Sequence, residues 1–127
     1  MAGNSNVFQR ALELMDKADS YELIQHKKPE VCFEPEIFES IWCEASQMRD
    51  RGELLRRISQ ISCHVHAIHG DHDPHPAPGV EEPLRSVLPD AGFTLLARCG
   101  HKPWLERHAR EEFYRALESQ LGPPGIS

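Results

Sequence analysis

The stretch CHVHAIHGDHDP at residues 63–74 decides the fold of this chain. Cys63 to His69 is predicted to form a strand, because a short apolar run precedes a turn rich in glycine, aspartate and proline. A second apolar run, Phe93 to Ala97, precedes the loop CGHKP at residues 99–103. Helical patterns lie between the two runs and after the second. This strand–helix–strand–helix order predicts two parallel strands joined by a right-handed crossover.

Helical periodicity dominates the residues before the first strand. Pro35 suits the first turn of a helix. The apolar stripe that follows it has the spacing of a helix face that packs into a core, and its members are Ile37, Phe38, Ile41, Trp42, Ala45 and Met48. The sequence therefore predicts an α/β protein in three parts: a helical segment over residues 1–60, a βαβα unit over residues 61–121 and a disordered tail over residues 122–127.

Composition and charge exclude several classes of protein. The net charge is −6, from 14 basic and 20 acidic residues, and no Lys/Arg-rich run offers a surface for nucleic acid. No apolar run approaches the roughly 20 residues that span a bilayer, and the first ten residues lack the pattern of a signal peptide. A cytoplasmic protein without membrane contact is expected. The four cysteines form no Cys-x-x-Cys pair, so free and mostly buried thiols are expected.

Two loops at the predicted strand ends carry residues capable of chemistry. Asp73 lies in the loop after the first strand, and His101 lies in the loop after the second. The carboxyl ends of neighbouring parallel strands meet at one edge of a sheet, where ligands and catalytic groups gather. A carboxylate that accepts the Nδ1 proton of a histidine fixes its tautomer and leaves Nε2 free to take a proton. We therefore expect these two side chains to meet, with the glycines Gly70 and Gly100 permitting the sharp turns.

These loops resemble the acid and histidine loops of the α/β-hydrolase superfamily. AIHGDHDP at residues 67–74 is similar to the acid loop, and GHKPWLE at residues 100–106 is similar to the Gly-His-x-Pro-x-x-Glu loop. The resemblance implies that Asp73, third after its glycine, is the triad acid and that His101 is the general base. Residues 1–60 would then be a cap-like segment, and the chain would be an incomplete α/β-hydrolase fold. The complete enzyme would act on a small-molecule substrate without a cofactor, and Trp104 is a candidate substrate contact.

The nucleophile expected from this resemblance is missing. The superfamily carries a Gly-x-Ser-x-Gly elbow before the acid and the base, and no serine of this chain lies between two glycines at that spacing. Cys99 is close to the histidine but is expected to be buried, and Ser59 and Ser62 should lie at the opposite end of the sheet. We therefore expect a chain that is inactive alone and is a truncated product, half of a split enzyme or a non-enzymatic descendant.

A metal-dependent hydrolase is an alternative prediction. Residues 64–75 are rich in histidine and aspartate, which are ligands of zinc, iron and manganese; these residues are His64, His66, His69, Asp71, His72, Asp73 and His75. His69-x-Asp71-His72 resembles part of the His-x-His-x-Asp-His motif of metallo-β-lactamase-like hydrolases. The match fails at position 67, which holds alanine in place of the first histidine of the motif. No bound metal is therefore expected.

A non-catalytic binding module is the other alternative. Two strands are fewer than a parallel sheet normally has, so the surface that meets the rest of such a sheet would be exposed. An exposed apolar face drives association. The chain is expected to associate with itself, or with a chain that carries the N-terminal half of the fold. In that case Phe38 and Trp42 could anchor an interface rather than a core.

Overall fold

The computed structural model describes residues 3–24 and 34–122, and these form a mixed α/β structure. Five α-helices and two strands follow one another along the described chain: α1 (Gly3–Ala18), α2 (Pro35–Asp50), α3 (Glu53–Ile58), β1 (His66–Gly70), α4 (Ala77–Val87), β2 (Gly92–Leu96) and α5 (Arg110–Leu121). A 3-10 turn, Pro103–Leu105, precedes α5. The predicted order is confirmed. The predicted disordered tail, residues 122–127, lies outside the described residues except for Gly122.

The two strands form a parallel sheet, as predicted. Ile68 is paired with Thr94, and Gly70 at the end of β1 is paired with Leu96 at the end of β2. The first strand begins at His66 rather than at the predicted Cys63. In this register Cys63 and His64 would lie opposite Pro89 and Asp90, but these two residues form the turn after α4, where Ala91 N–H donates to the carbonyl of Leu88. The ladder therefore starts later than the apolar run.

The core lies on one face of the sheet, under α5. Leu96, Cys99 and Ala109 are fully buried, and the partly buried Ile68 and Phe113 pack against them. On the opposite face Leu95 is 52% exposed. A small core covered on one side stabilises less than the core of a complete α/β sheet, whose two faces are both buried.

The apolar stripe of α2 is not part of that core, contrary to prediction. No residue of α2 is buried, and Ile41 and Trp42 are 62% and 51% exposed. Phe38 and Trp42 contact each other edge to face at 5.8 Å. The predicted burial of the cysteines is also wrong in part, because Cys43 and Cys63 are exposed and only Cys99 is buried; Cys32 lies outside the described residues. The helical pattern is correct, but it does not reveal whether a partner element is present.

Residues 19–24, which we call the strap, bind the loop that follows β2. His101 N–H donates to the carbonyl of Asp19 at 2.7 Å, and Ile24 N–H donates to the carbonyl of Leu105 at 2.9 Å. An isolated antiparallel bridge pairs Leu23 with Glu106. The predicted cap-like segment is thus attached at its N-terminal end to the loop that carries the histidine. Among the described residues, every helix is too short or too polar to cross a lipid bilayer.

Candidate active site

Backbone hydrogen bonds hold the loop after β1 against the end of β2. Asp71 N–H donates to the carbonyl of Leu96 at 2.9 Å, and His72 N–H donates to that of Cys99 at 2.8 Å. In the opposite direction, Cys99 N–H donates to Asp71 Oδ1 at 3.1 Å. Asp71 therefore joins the two loops, whereas the next aspartate, Asp73, is left to face the histidine.

Asp73 and His101 form a hydrogen-bonded pair at the carboxyl ends of the strands. Asp73 Oδ2 lies 2.7 Å from His101 Nδ1. The Asp73 side chain is 4% exposed, while that of His101 is 49% exposed. The predicted juxtaposition of these two side chains is confirmed, and it selects Asp73 rather than Asp71 as the partner of the histidine. Their catalytic role stays a prediction.

The hydrogen bonds of Asp73 keep its carboxylate charged. Burial raises the pKa of Asp73, but the backbone N–H of His75, the side chains of His101 and His75 and the charge of His101 together lower it below its ordinary value. A carboxylate only accepts hydrogen bonds, so His101 must carry its proton on Nδ1. The lone pair is then on Nε2, to which no group of the described residues bonds. This tautomer is the one a general base needs.

Gly70 and Gly100 are needed for close approach, not for the turn geometry expected from the sequence. Neither has a positive φ; among the described glycines, only Gly52 and Gly122 do. A Cβ on Gly70 would collide with the backbone of Cys99 and Gly100. A Cβ on Gly100 would collide with the carbonyl of Asp19 and would lie 2.6 Å from Glu106 Oε1. The absence of side chains here lets the two loops and the strap touch.

Glu106 is a buried carboxylate whose role was not predicted from the sequence. It is fully buried, and its Oε1 accepts hydrogen bonds from Tyr21 N–H at 2.8 Å and Gly100 N–H at 3.0 Å. Its Oε2 accepts from Glu22 N–H at 2.7 Å. One side chain therefore ties the strap to the residue before His101. The available signal was its place as the last residue of the stretch GHKPWLE.

None of the candidate nucleophiles within the chain is placed to act with the Asp73–His101 pair, as expected. Cys99 is fully buried, and burial raises the pKa of its thiol to about 12. Such a thiol is not a nucleophile near neutral pH. Ser62 lines a cavity of about 200 Å³ with Leu88 and Ala91, at the start of the strands. Ser59 ends α3, ahead of the sheet. Both serines precede the strands, whereas the Asp73–His101 pair follows them.

Trp104, the predicted substrate contact, lies in the 3-10 turn after His101. Its side chain is 45% exposed, and its ring centroid is 5.9 Å from that of Phe113. No contact joins it to Asp73 or His101 in the described structure. Its position next to the histidine loop is compatible with a pocket wall, and a role in substrate binding stays a prediction.

The histidine-rich segment does not form one metal site among the described residues. His64 bonds to Gln120, and His66 bonds to Thr94. His69 Nε2 lies 2.8 Å from the carbonyl of His75, and the His72 ring contacts that of Tyr21 at 5.3 Å. The histidines of segment 64–75 therefore do not converge on one point among the described residues, and the hypothesis that the whole segment binds one metal ion gains no support.

His75 is the member of this segment that joins the candidate site. Its N–H and its Nδ1 each lie 2.9 Å from Asp73 Oδ1. Its ring centroid is 5.5 Å from that of His101. From the sequence, His75 was only one of the histidines of segment 64–75, and its contact with Asp73 and His101 was not predicted. His75 follows Asp73 by two residues and therefore lies on the same turn. This spacing is the signal that could have indicated their contact.

Comparisons with family models, with curated proteins and with solved structures find no match for this chain.

Proposed function

We propose that this chain is the C-terminal part of an α/β-hydrolase fold and supplies the acid and the base of a nucleophile–His–Asp triad. The observation that supports the proposal most strongly is the 2.7 Å contact between a nearly buried Asp73 and the half-exposed His101. The two residues come from successive strand ends of a parallel sheet. The resemblance of both loops to the superfamily adds the reaction class, hydrolysis of an ester, an amide or a similar bond.

In this proposal each residue has one task. His101 Nε2 takes the proton from the nucleophile's hydroxyl as its oxygen bonds to the substrate carbonyl carbon, and then gives that proton to the leaving group as the carbonyl re-forms. Asp73 holds the ring in the Nδ1–H tautomer and stabilises the imidazolium. Water repeats the sequence on the covalent intermediate, which returns the nucleophile and releases the acid.

The nucleophile and the oxyanion hole are supplied by residues outside this sequence. Cys99 is buried, and burial raises the pKa of its thiol; Ser59 and Ser62 precede the strands. Among the described residues each strand pairs with one other strand only, so further strands can be added to this sheet. A chain with a base and an acid but no nucleophile cannot form an acyl-enzyme.

The test compares the chain alone with the product of its reading frame extended through any upstream in-frame sequence. The chain alone should not cleave activated esters faster than imidazole at the same concentration, and a fluorophosphonate should not label it. The extended product should be labelled at a serine outside these 127 residues, and His101→Ala should abolish the labelling. Turnover by the chain alone that disappears in both Asp73→Ala and His101→Ala would show a nucleophile within it. Labelling of the extended product that survives His101→Ala would contradict the proposal.

A non-catalytic, associating module is a second candidate, favoured by the exposed apolar stripe on α2. Ile37 and Ile41 are 59% and 62% exposed, and such a patch usually marks an interface. Sedimentation velocity over a hundredfold range of concentration tests this candidate. Self-association that is lost in Ile41→Ser, while the fold is kept, would support it. A monomer at all concentrations would exclude self-association, so that only association with a different chain would remain.

A further inference from the structure

Three side chains of the kind that binds transition metals meet at the carboxyl ends of the strands. Asp73, His75 and His101 each offer one ligand atom, and these atoms lie within 4.8 Å of one another. Asp73 Oδ1 is 2.9 Å from His75 Nδ1, and Asp73 Oδ2 is 2.7 Å from His101 Nδ1. We propose that these residues form a binding site for an exchangeable divalent transition-metal cation of the zinc class.

The donor set and its exposure fit such a cation. Two imidazoles and one carboxylate are typical zinc ligands, and a fourth position is then left for water. Zinc–ligand bonds of about 2.1 Å place neighbouring ligand atoms of a tetrahedral site roughly 3.4 Å apart. His75 and His101 contact different oxygens of Asp73, so at least one ring must shift for both to bind a cation that is held by a single carboxylate oxygen. His75 and His101 are 69% and 49% exposed, so their rings can turn and a cation can reach them from solvent.

Contacts within the loop after β1 hold Asp73 and the backbone of His75 in place. His75 N–H donates to Asp73 Oδ1, and His69 Nε2 lies 2.8 Å from the carbonyl of His75. His69 Nδ1 is 4.0 Å from Asp73 Oδ2. Such contacts behind the ligands fix the orientation of ligating groups in metal sites. The same contacts therefore position the loop that carries two of the three ligands.

Metal binding at this site would remove the base. A neutral imidazole has one ring proton, and in both histidines it points from Nδ1 towards Asp73. A cation binds to a lone pair on Nδ1, so the Nδ1 proton must leave. The proton moves through solvent to Nε2, and none is released overall. His101 then has no free lone pair at Nε2. This inhibitory consequence rests on the proposed function, whereas the binding itself does not.

Cobalt(II), whose visible spectrum reports its ligands, is the probe for binding. Co²⁺ is added to the full chain, prepared without a His-tag, and the absorbance is followed to saturation. We expect one Co²⁺ per chain, a spectrum more intense than that of the aqueous ion, and displacement by Zn²⁺. His75→Ala should weaken binding at least tenfold, because it removes one of three ligands. His72→Ala is the matched control, an exposed histidine of the same loop, and it should bind as the wild type does.

A second measurement on the wild-type chain avoids any doubt about folding of the variants. In NMR spectra of the histidine side chains, Zn²⁺ should shift the signals of His75 and His101 and leave those of His64 and His108 in place. No saturable binding, undiminished binding by His75→Ala, or an equal loss in His72→Ala would overturn the proposal. These outcomes do not affect the tautomer of His101 in the metal-free protein, which tests the proposed function separately.

Discussion

The carboxylate of Asp71 accepts a hydrogen bond from the buried N–H of Cys99, at 3.1 Å. Two residues further along each loop, Asp73 meets His101. Both pairs are separated by 28 residues in sequence. The first pair joins the two loops through the fully buried Cys99, and in the second pair a nearly buried Asp73 holds the half-exposed His101.

Asp71→Ala is expected to destabilise the chain by about 1–3 kcal/mol, because it leaves the N–H of the fully buried Cys99 without an acceptor. Urea unfolding followed by circular dichroism measures the change. Asp50→Ala removes an exposed aspartate at the end of α2, and it should change the free energy of unfolding by less than about 0.5 kcal/mol. Equal effects of the two substitutions would show that Asp71 does not hold the loops together.

Glu106→Ala should be the more damaging substitution, with a loss of about 3–5 kcal/mol. It removes the acceptor of three backbone N–H groups, on Tyr21, Glu22 and Gly100, and unpaired buried donors are costly. Thermal unfolding measures the loss, with Glu118→Ala on the exposed side of α5 as the control. A loss below about 1 kcal/mol would mean that the strap does not depend on this carboxylate.

Gly70→Ala is expected to destabilise the chain by about 2–3 kcal/mol, because the added methyl group meets the backbone of Cys99 and Gly100. Gly79→Ala is the matched control: nothing lies within 4 Å of the added Cβ, and the position is inside α4. Alanine is the better helix former there by about 1 kcal/mol, so this variant should be slightly more stable than the wild type. Opposite signs in the two unfolding curves are the expected result.

The stability of the chain should fall in acid partly through Asp73. Its pKa in the folded chain is lowered from the ordinary value of 3.8. The folded state therefore binds the proton less readily than the unfolded state does. The contribution is complete above pH 3.8 and is lost as the pH falls through the lower folded-state pKa.

Asp73→Asn removes this titration. The difference in unfolding free energy between wild type and variant should shrink as the pH falls below about 5, by at most about 1.4 kcal/mol per pH unit. Urea unfolding at intervals between pH 2 and 7 measures it. A difference that is independent of pH would show that Asp73 has the same pKa in both states.

The sequence predicted the elements of this fold well where local chemistry determines them. Both strands, their parallel pairing and the helix between them follow from the apolar runs and the turns that bound them. The start of β1 at His66 could not be predicted from its own residues, because it depends on the turn at Pro89 and Asp90, which ends before the partner strand begins at Gly92. The exposure of Ile41 and Trp42 was also out of reach, since periodicity shows that a helix has an apolar face but not what covers it.

The sequence predicted the central pair of the candidate site but not the residues that hold this pair in place. Asp73 and His101 lie at strand ends, and sheet geometry alone brings such positions together. Glu106 and His75 act through contacts with the strap and with the loop's own turn, and neither contact follows from strand order. The glycines were identified correctly but for the wrong reason, since Gly70 and Gly100 provide space rather than unusual dihedral angles.

The protonation of the His101 ring tests the central claim most directly. Nitrogen-15 NMR of the metal-free chain distinguishes a protonated from an unprotonated ring nitrogen. We predict, at a pH where the ring is neutral, that His101 carries its proton on Nδ1 and that this preference weakens in Asp73→Asn, while His72 is unaffected. A proton on Nε2 in the wild type, or a tautomer that does not respond to Asp73→Asn, would contradict the claim that Asp73 prepares His101 to act as a base.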